Sequence, residues 1–104
     1  MANNKKALFS QLVRLMVHII KLISQPIKRS TSWAVTIKHV RHQIKKIQAD
    51  TPSLTNNHIE DIWEKAEKKA LLEAQKEMQQ NSIVENLLWK QVFDDEYKIG
   101  DDNE

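Results

Sequence analysis

The sequence predicts an all-α domain, an antiparallel bundle of about four helices. Leu, Ile, Val and Phe make up 28 of the 104 residues, which is above the roughly 20% floor below which strongly charged chains stay disordered. The one glycine, Gly100, lies near the C-terminus, whereas a β-sandwich of this length needs several glycines for its turns. The lack of cysteine excludes disulfides, thiolate zinc sites and cysteine nucleophiles. We expect one helical domain over residues 1–96 and an acidic, disordered tail over residues 97–104.

The first predicted helix covers residues 7–24 and ends before Pro26. Its polar residues fall within one narrow arc, which leaves about 260° of its circumference apolar. Because the other helices cannot cover all of that surface, we expect an exposed strip that binds a second copy of the chain as a homodimer, or else an acidic partner helix. The candidate self-association face consists of Leu12, Val13, Met16, Val17 and Ile20.

The same apolar stretch, Ala7–Ile23, resembles a targeting signal or a membrane span only superficially. Arg14, His18 and Lys21 interrupt it, and no small-residue cleavage site follows it. We therefore expect a cytoplasmic protein that does not contact a membrane.

The second predicted helix covers residues 32–48, with Ser30 or Ser32 as its N-cap. Its apolar residues recur at intervals of four and three, which gives a single seam toward the core. The seam consists of Trp33, Ile37, Val40, Ile44 and Ile47. Basic residues form a second stripe, and the candidate basic face consists of Lys28, Arg29, Lys38, Arg41, His42, Lys45 and Lys46.

Two explanations are open for this basic face. Lysines on an exposed helix neutralise phosphates, which would give non-specific, salt-sensitive nucleic-acid binding. Alternatively, a hairpin of the second and third helices would place Arg41 near Asp61 and Lys38 near Glu64 or Lys65, so that the charges pair internally. We favour internal pairing or a solvated face.

The third predicted helix covers residues 52–80, with Thr51 as its cap and Pro52 at its first position. Its seam consists of Ile59, Ile62, Trp63, Ala66, Ala70, Ala74 and Met78. Trp33 and Trp63 each lead a seam, so we expect both to be largely buried.

The fourth predicted helix covers residues 83–96. Ser82 and Glu85 are spaced as a capping box, in which each side chain accepts a hydrogen bond from a free backbone N–H. Because this helix is short and terminal, we expect Trp89 to be partly exposed.

The net charge of +2 hides a division between the two halves of the chain. Residues 1–50 hold ten Lys or Arg against one acid, a net of +9, whereas residues 51–104 hold six Lys against thirteen acids, a net of −7. Such asymmetry marks either an anion-binding face or two halves that pack together with complementary charges. We favour the second explanation, because both halves belong to one small domain.

Few residues suggest chemistry. His39 and His42 lie three apart, but basic residues crowd them and no carboxylate precedes Asp50 on that helix, so we expect no metal site. We expect His18 to bond a carboxylate or a backbone carbonyl inside the bundle. The cluster Arg29–Trp33 offers an arginine and hydroxyls to an anion, although capping and packing explain it better. We identify no catalytic residue, cofactor site or small-molecule substrate.

Several short motifs occur in one order and spacing through the chain: Leu15–Lys21, Gln25–Pro26, Arg29–Ser30, Ser32–Trp33, Thr36–Ile37, Arg41, Pro52–Leu54 and Gln91–Tyr97. Over residues 5–97 they resemble family 29 of the bacterial domains of unknown function. The resemblance implies an all-helical bundle and carries no activity, substrate or cofactor. Glu67 departs from the family pattern, which more often has arginine there. The pattern also implies an acidic N-terminal segment that this chain lacks; a truncation, a split gene and a minimal variant all remain open.

The sequence therefore favours a non-catalytic helical protein that acts as a small interaction or assembly module. The alternative is a non-specific nucleic-acid binder that uses the basic face of the second helix.

Overall fold

The computed structural model describes residues 3–26 and 31–97, which form three long helices and one short helical turn. The long helices are α1 (Asn4–Ser24), α2 (Thr31–Asp50) and α3 (Asn56–Met78), and a π-helical turn covers Lys90–Asp94. The prediction of an all-α bundle is confirmed. Each long helix begins and ends within four residues of its predicted bounds.

Helix α1 is the centre of the bundle and packs against α2, α3 and the π-helical turn. The side chain of Asn4 donates to the hydroxyl of Thr51, which follows α2, so α1 and α2 run antiparallel. Near the other end of α1, Lys21 pairs with Glu77 of α3 at 2.9 Å, so α3 runs in the same direction as α1. The chain thus goes up, down and up, with its most apolar helix in the middle.

Helix α1 begins three residues earlier than predicted because Asn3 caps it. The Asn3 side chain accepts a hydrogen bond from the Lys6 backbone N–H at 3.1 Å. At the other end the Gln25 N–H donates to the Lys21 carbonyl, and Pro26 follows. The end of α1 is therefore as predicted.

Helix α2 begins at Thr31, which makes Ser32 a helical residue rather than the N-cap, while Ser30 lies outside the described residues.

The connection between α2 and α3 is a turn, so the prediction that Pro52 opens the third helix is wrong. The Leu54 N–H donates to the Thr51 carbonyl at 2.9 Å, and this turn buries the Leu54 side chain. Burial of Leu54 delays the start of α3.

The fourth helix is much shorter than predicted, and the capping box at its start does not form. The Ser82 hydroxyl accepts from the Val84 N–H and donates to the Val84 carbonyl, which closes a local turn. The Ser82 N–H donates back to the side chain of Gln75. Ser82 is thus used in a turn that redirects the chain, and helical structure starts only at Lys90.

Residues 79–97, called here the C-terminal segment, fill the space between α2 and α3. On the α3 side, the Glu67 carboxylate accepts from the Leu87 N–H at 2.7 Å, and the Trp63 indole N–H donates to the Leu87 carbonyl at 3.3 Å. The Trp63 ring stacks on Trp89 with centroids 5.6 Å apart, and Phe93 lies 4.6 Å from Trp89. These contacts bring Leu87 into the core.

On the α2 side, the Arg41 side chain binds two backbone carbonyls of the C-terminal segment. Its Nε donates to the Val92 carbonyl at 2.8 Å and its Nη2 to the Gln91 carbonyl at 3.3 Å. The guanidinium lies 5.8 Å from the Tyr97 ring centroid, and the Tyr97 hydroxyl also donates to the Gln91 carbonyl. Tyr97 is half-buried, whereas residues 98–104, which cover most of the predicted tail, lie outside the described residues.

The three tryptophans are all half-buried and pack against the core. This confirms the prediction for Trp89. Trp33 and Trp63 are less buried than predicted. Trp33 lies at the rim of the bundle beneath the Lys21 ammonium, 5.1 Å from its ring centroid, and Trp63 turns toward the C-terminal segment.

Candidate interaction surfaces

The predicted self-association face lies inside the monomer. Its five residues, Leu12, Val13, Met16, Val17 and Ile20, are each at most 4% exposed. The prediction that they form an exposed strip is wrong, because the C-terminal segment reaches α1 and places Leu87 and Val92 in the same core cluster. A partner is therefore not needed to cover this part of α1.

Helix α1 is long and apolar enough to cross a membrane by length and composition. The core helix of a globular protein satisfies the same criteria. In this fold the buried side chains of α1 form the centre of the core.

The basic face of α2 is smaller than predicted, because Arg41 turns inward. Burial of its guanidinium lowers the pKa of Arg41, while Tyr97, Asp94 and Asp95 oppose that shift. A signal for this was present: Arg41 follows Ile37 by four residues, so it lies on the core side of the stripe. The exposed members are Lys38, His42, Lys45 and Lys46, whereas Lys28 and Arg29 lie outside the described residues.

The predicted pairing of this face with α3 is wrong for Arg41. Its hydrogen bonds go to the C-terminal segment rather than to Asp61. The C-terminal segment separates the two helices at this level, since Trp89 and Phe93 lie between them. Ion pairs among the described residues include Lys21–Glu77, which joins α1 to α3, and Lys69–Glu73 within α3.

His18 has the structural role predicted for it. Its Nδ1 donates to the Arg14 carbonyl at 2.9 Å, and burial lowers the pKa of His18 despite that bond. Beside it, the Lys21 side chain is 15% exposed and its ammonium bridges Glu77 and the Trp33 ring. Among the described residues, no group of three or more His, Cys, Asp or Glu is placed to hold a metal ion.

An open groove of about 260 Å³ runs between α1 and α3. Phe9, Val13 and Val17, spaced four residues apart on α1, form its apolar floor, and Arg14 stands on one rim. Lys69 and Glu73 form the opposite wall. Val13 and Val17 are almost fully buried, so Phe9 is the apolar side chain that this groove leaves partly accessible.

A stripe of exposed lysines that was not predicted from the sequence borders the groove on α3. Lys65, Lys69, Leu72 and Lys76 follow one another at intervals of four, three and four, so they share one side of the helix. Leu72 is 70% exposed. The spacing of these lysines indicated the stripe, but the net negative charge of residues 51–104 obscured it.

A family model described as "Domain of unknown function DUF29" matches residues 1–98 of the chain. No curated protein and no solved structure matches it.

Proposed function

Because the chain belongs to the DUF29 family, whose description names no activity, we propose from its structure that it is a non-catalytic, cytoplasmic interaction module. Its binding surface is the groove between α1 and α3, and the partner it fits is an acidic amphipathic helix. One observation carries the proposal: the partly exposed Phe9 lies in this groove, and an exposed leucine set among lysines lies on the neighbouring side of α3.

The shape of the groove favours a helix as the occupant. Phe9, Val13 and Val17 form a ridge parallel to α1, and an amphipathic helix presents apolar side chains at the matching intervals of three and four. Leu72, on the neighbouring side of α3, extends the apolar area beyond the rim. A partner helix laid along the groove would cover both.

The charge of the rim favours an acidic partner. Arg14 on α1 and Lys65 and Lys76 on α3 contribute positive charge, whereas Lys69 pairs with Glu73, the acid that lines the groove. Complementary charges steer the encounter of two proteins and fix their register. A basic helix would face like charges along most of its length.

The partly buried polar groups support a non-catalytic role, because they hold the fold together. His18 bonds a helix carbonyl, Glu67 anchors the Leu87 N–H, and Arg41 binds two carbonyls of the C-terminal segment. A general base or nucleophile must instead direct its reactive atom toward substrate. Each of these three side chains has at least one structural partner.

The test uses a fluorescent amphipathic peptide with leucine on one face and glutamate on the rest, and a matched peptide with lysine in place of glutamate. We expect the acidic peptide to bind the full chain and the lysine peptide to bind far more weakly. Leu72→Ser should weaken binding about ten- to hundredfold, since the loss of one buried leucine contact is worth about 1.5–3 kcal/mol. Leu88→Ser, at an equally exposed leucine on the C-terminal segment, is the matched control.

Equal binding of both peptides, or equal effects of the two leucine substitutions, would refute the groove as the site. Anionic phospholipid vesicles provide a third arm, because a basic, partly apolar surface can also bind a membrane. Vesicle binding that requires Leu72 while the acidic peptide does not bind would replace the proposed partner with a lipid surface.

A second candidate function is non-specific nucleic-acid binding by α2. Lys38, His42, Lys45 and Lys46 are exposed along one helix, and lysines that contact phosphates release counterions on binding. Loss of Arg41 from the face reduces the expected affinity. Duplex DNA should bind weakly, and the logarithm of the affinity should fall linearly with the logarithm of salt concentration. A salt-independent affinity, or one unchanged in Lys38→Gln/Lys46→Gln, would exclude this function.

A further inference from the structure

A second cavity, of about 210 Å³, lies between α2, the start of α3 and the π-helical turn. Two aromatic rings, two cations, two amides and one carboxylate line it together with an aliphatic side chain. These are Trp89, Phe93, Arg41, Lys45, Gln48, Asn56, Asp94 and Ile44. It shares no lining residue with the groove between α1 and α3.

We propose that this cavity binds an unpaired nucleobase together with its phosphate. The ligand comes either from a free mononucleotide or from single-stranded nucleic acid, which present the same chemistry to the site. The proposal is independent of the acidic-helix function, because the two surfaces have separate residues.

The aromatic wall supplies a surface that accepts any base. Trp89 and Phe93 have ring centroids 4.6 Å apart, and Trp63 stacks behind Trp89 at 5.6 Å with an interplanar angle of 20°. This stacking fixes the Trp89 ring before a ligand arrives, which lowers the entropy cost of binding. Contact between bases and aromatic side chains is favourable and tolerant of base identity.

The cations supply the phosphate contact. Lys45 is exposed at the rim, where its ammonium can reach a phosphate outside the cavity. Arg41 uses two of its N–H donors to bind the Val92 and Gln91 carbonyls. A guanidinium has five donors, so others are available to a ligand, and charge-assisted bonds to phosphate are among the stronger hydrogen bonds.

The remaining polar groups match the edge of a base. The Gln48 side-chain amide donates to the Asn56 side-chain carbonyl at 3.1 Å, which leaves the Gln48 carbonyl as an acceptor and the Asn56 amide as a donor. The Asp94 carboxylate can accept from an exocyclic amino group. A simple anion would use none of these groups.

The size of the cavity limits the ligand. Sites for drug-sized ligands are about 300–1,000 Å³, and this cavity is smaller, so it holds one ring system while the phosphate stays outside. A paired base in a duplex keeps its faces within the stack and cannot enter. The cavity and the α2 face share Lys45, but only the cavity requires an unpaired base.

The test follows the indole N–H resonances of the three tryptophans by NMR while adenosine monophosphate, adenosine or a single-stranded oligothymidine is added. We expect the Trp89 resonance to shift and the Trp33 resonance to stay in place. Lys45→Gln should weaken adenosine monophosphate about tenfold, the effect of losing one charge-assisted hydrogen bond, and leave adenosine binding unchanged. Lys46→Gln, one residue away on the outer face of α2, is the matched control.

Comparison of the three ligands and the two lysine variants distinguishes a free nucleotide from a single strand, and both from diffuse electrostatic attraction. Tighter binding of the mononucleotide identifies a free nucleotide as the ligand, and tighter binding of the oligothymidine identifies a single strand. An unshifted Trp89 resonance at millimolar ligand overturns the proposal. Equal weakening by Lys45→Gln and Lys46→Gln also overturns it, because that result indicates diffuse electrostatic attraction.

Discussion

Arg41→Met should loosen the C-terminal segment more than any other single surface substitution on α2. Methionine retains an unbranched apolar stem but removes both hydrogen bonds to the Val92 and Gln91 carbonyls, at 2.8 and 3.3 Å. It also removes the cation that lies 5.8 Å from the Tyr97 ring. The substitution therefore tests the two hydrogen bonds and the cation–π contact of Arg41, called here the Arg41 clasp, and keeps the apolar packing of the side-chain stem.

The magnitude follows from these contacts. Hydrogen bonds that involve a charged group contribute about 1.5–3 kcal/mol each, and the 3.3 Å bond counts at or below the lower end of that range. A cation–π contact at a partly exposed site adds about 0.5–1 kcal/mol. Since Arg41 is only half-buried, water can solvate the freed carbonyls. We expect a loss of about 2–3 kcal/mol in the free energy of unfolding, or roughly 8–24 °C in Tm for a chain of this size.

The assay is urea unfolding followed by tryptophan fluorescence, with Lys46→Met as the control at an exposed position of the same helix. The control should stay within about 0.5 kcal/mol of the wild type. Hydrogen exchange at the Leu87 and Val92 amides then separates local from global loss, because local detachment exposes these amides without unfolding α1. A difference below about 0.5 kcal/mol between the two variants would refute the Arg41 clasp as a stabilising contact.

Three further outcomes are expected. Glu67→Gln keeps an acceptor for the Leu87 N–H but removes its charge, so the free energy of unfolding should fall by about 1 kcal/mol, measured in the same urea titration. Because burial lowers the pKa of His18 below its usual 6.5, the unfolded chain binds more protons than the folded chain, and stability should decline as the pH falls from 6.5 through the folded-state pKa. Comparison of Tm at pH 7.5 and 5.5 should show a smaller decline for His18→Gln than for the wild type. The decline for His42→Gln should equal that of the wild type. Tyr97→Phe removes one hydroxyl bond and should cost about 1 kcal/mol, and no change in its thermal unfolding would contradict the observed docking of Tyr97.

The three long helices were predictable because their apolar residues repeat with the helical period. In α2, Ile37, Val40 and Ile44 occupy the predicted seam and are buried. In α3, Ala66 and Ala70 do the same. A periodic pattern is read from neighbours three and four residues apart, so it requires no knowledge of the rest of the fold.

The C-terminal segment was not predictable in this way, because long-range contacts determine it. Ser82 and Glu85 have the spacing of a capping box, yet the hydroxyl of Ser82 binds Val84 and the backbone beyond it bonds to Glu67 and Trp63 of α3. A helix cap stabilises a helix by about 1 kcal/mol. An extended chain that lets several apolar side chains reach the core gains more than that, so the capping box does not form. The same reason explains why Arg41 was misplaced: its partners lie some fifty residues away.

The C-terminal segment also changes where a partner can bind. The sequence indicated that α1 carries more apolar surface than its neighbours can cover, and the inference of a second molecule depended on that excess. Helices α2 and α3 and the π-helical turn pack on α1, and the five residues of that face are buried within one chain. We propose two other binding sites instead, the groove beside α3 and the cavity at the π-helical turn. Because the two proposed sites share no lining residue, we expect that a helix and a nucleotide can occupy the domain together.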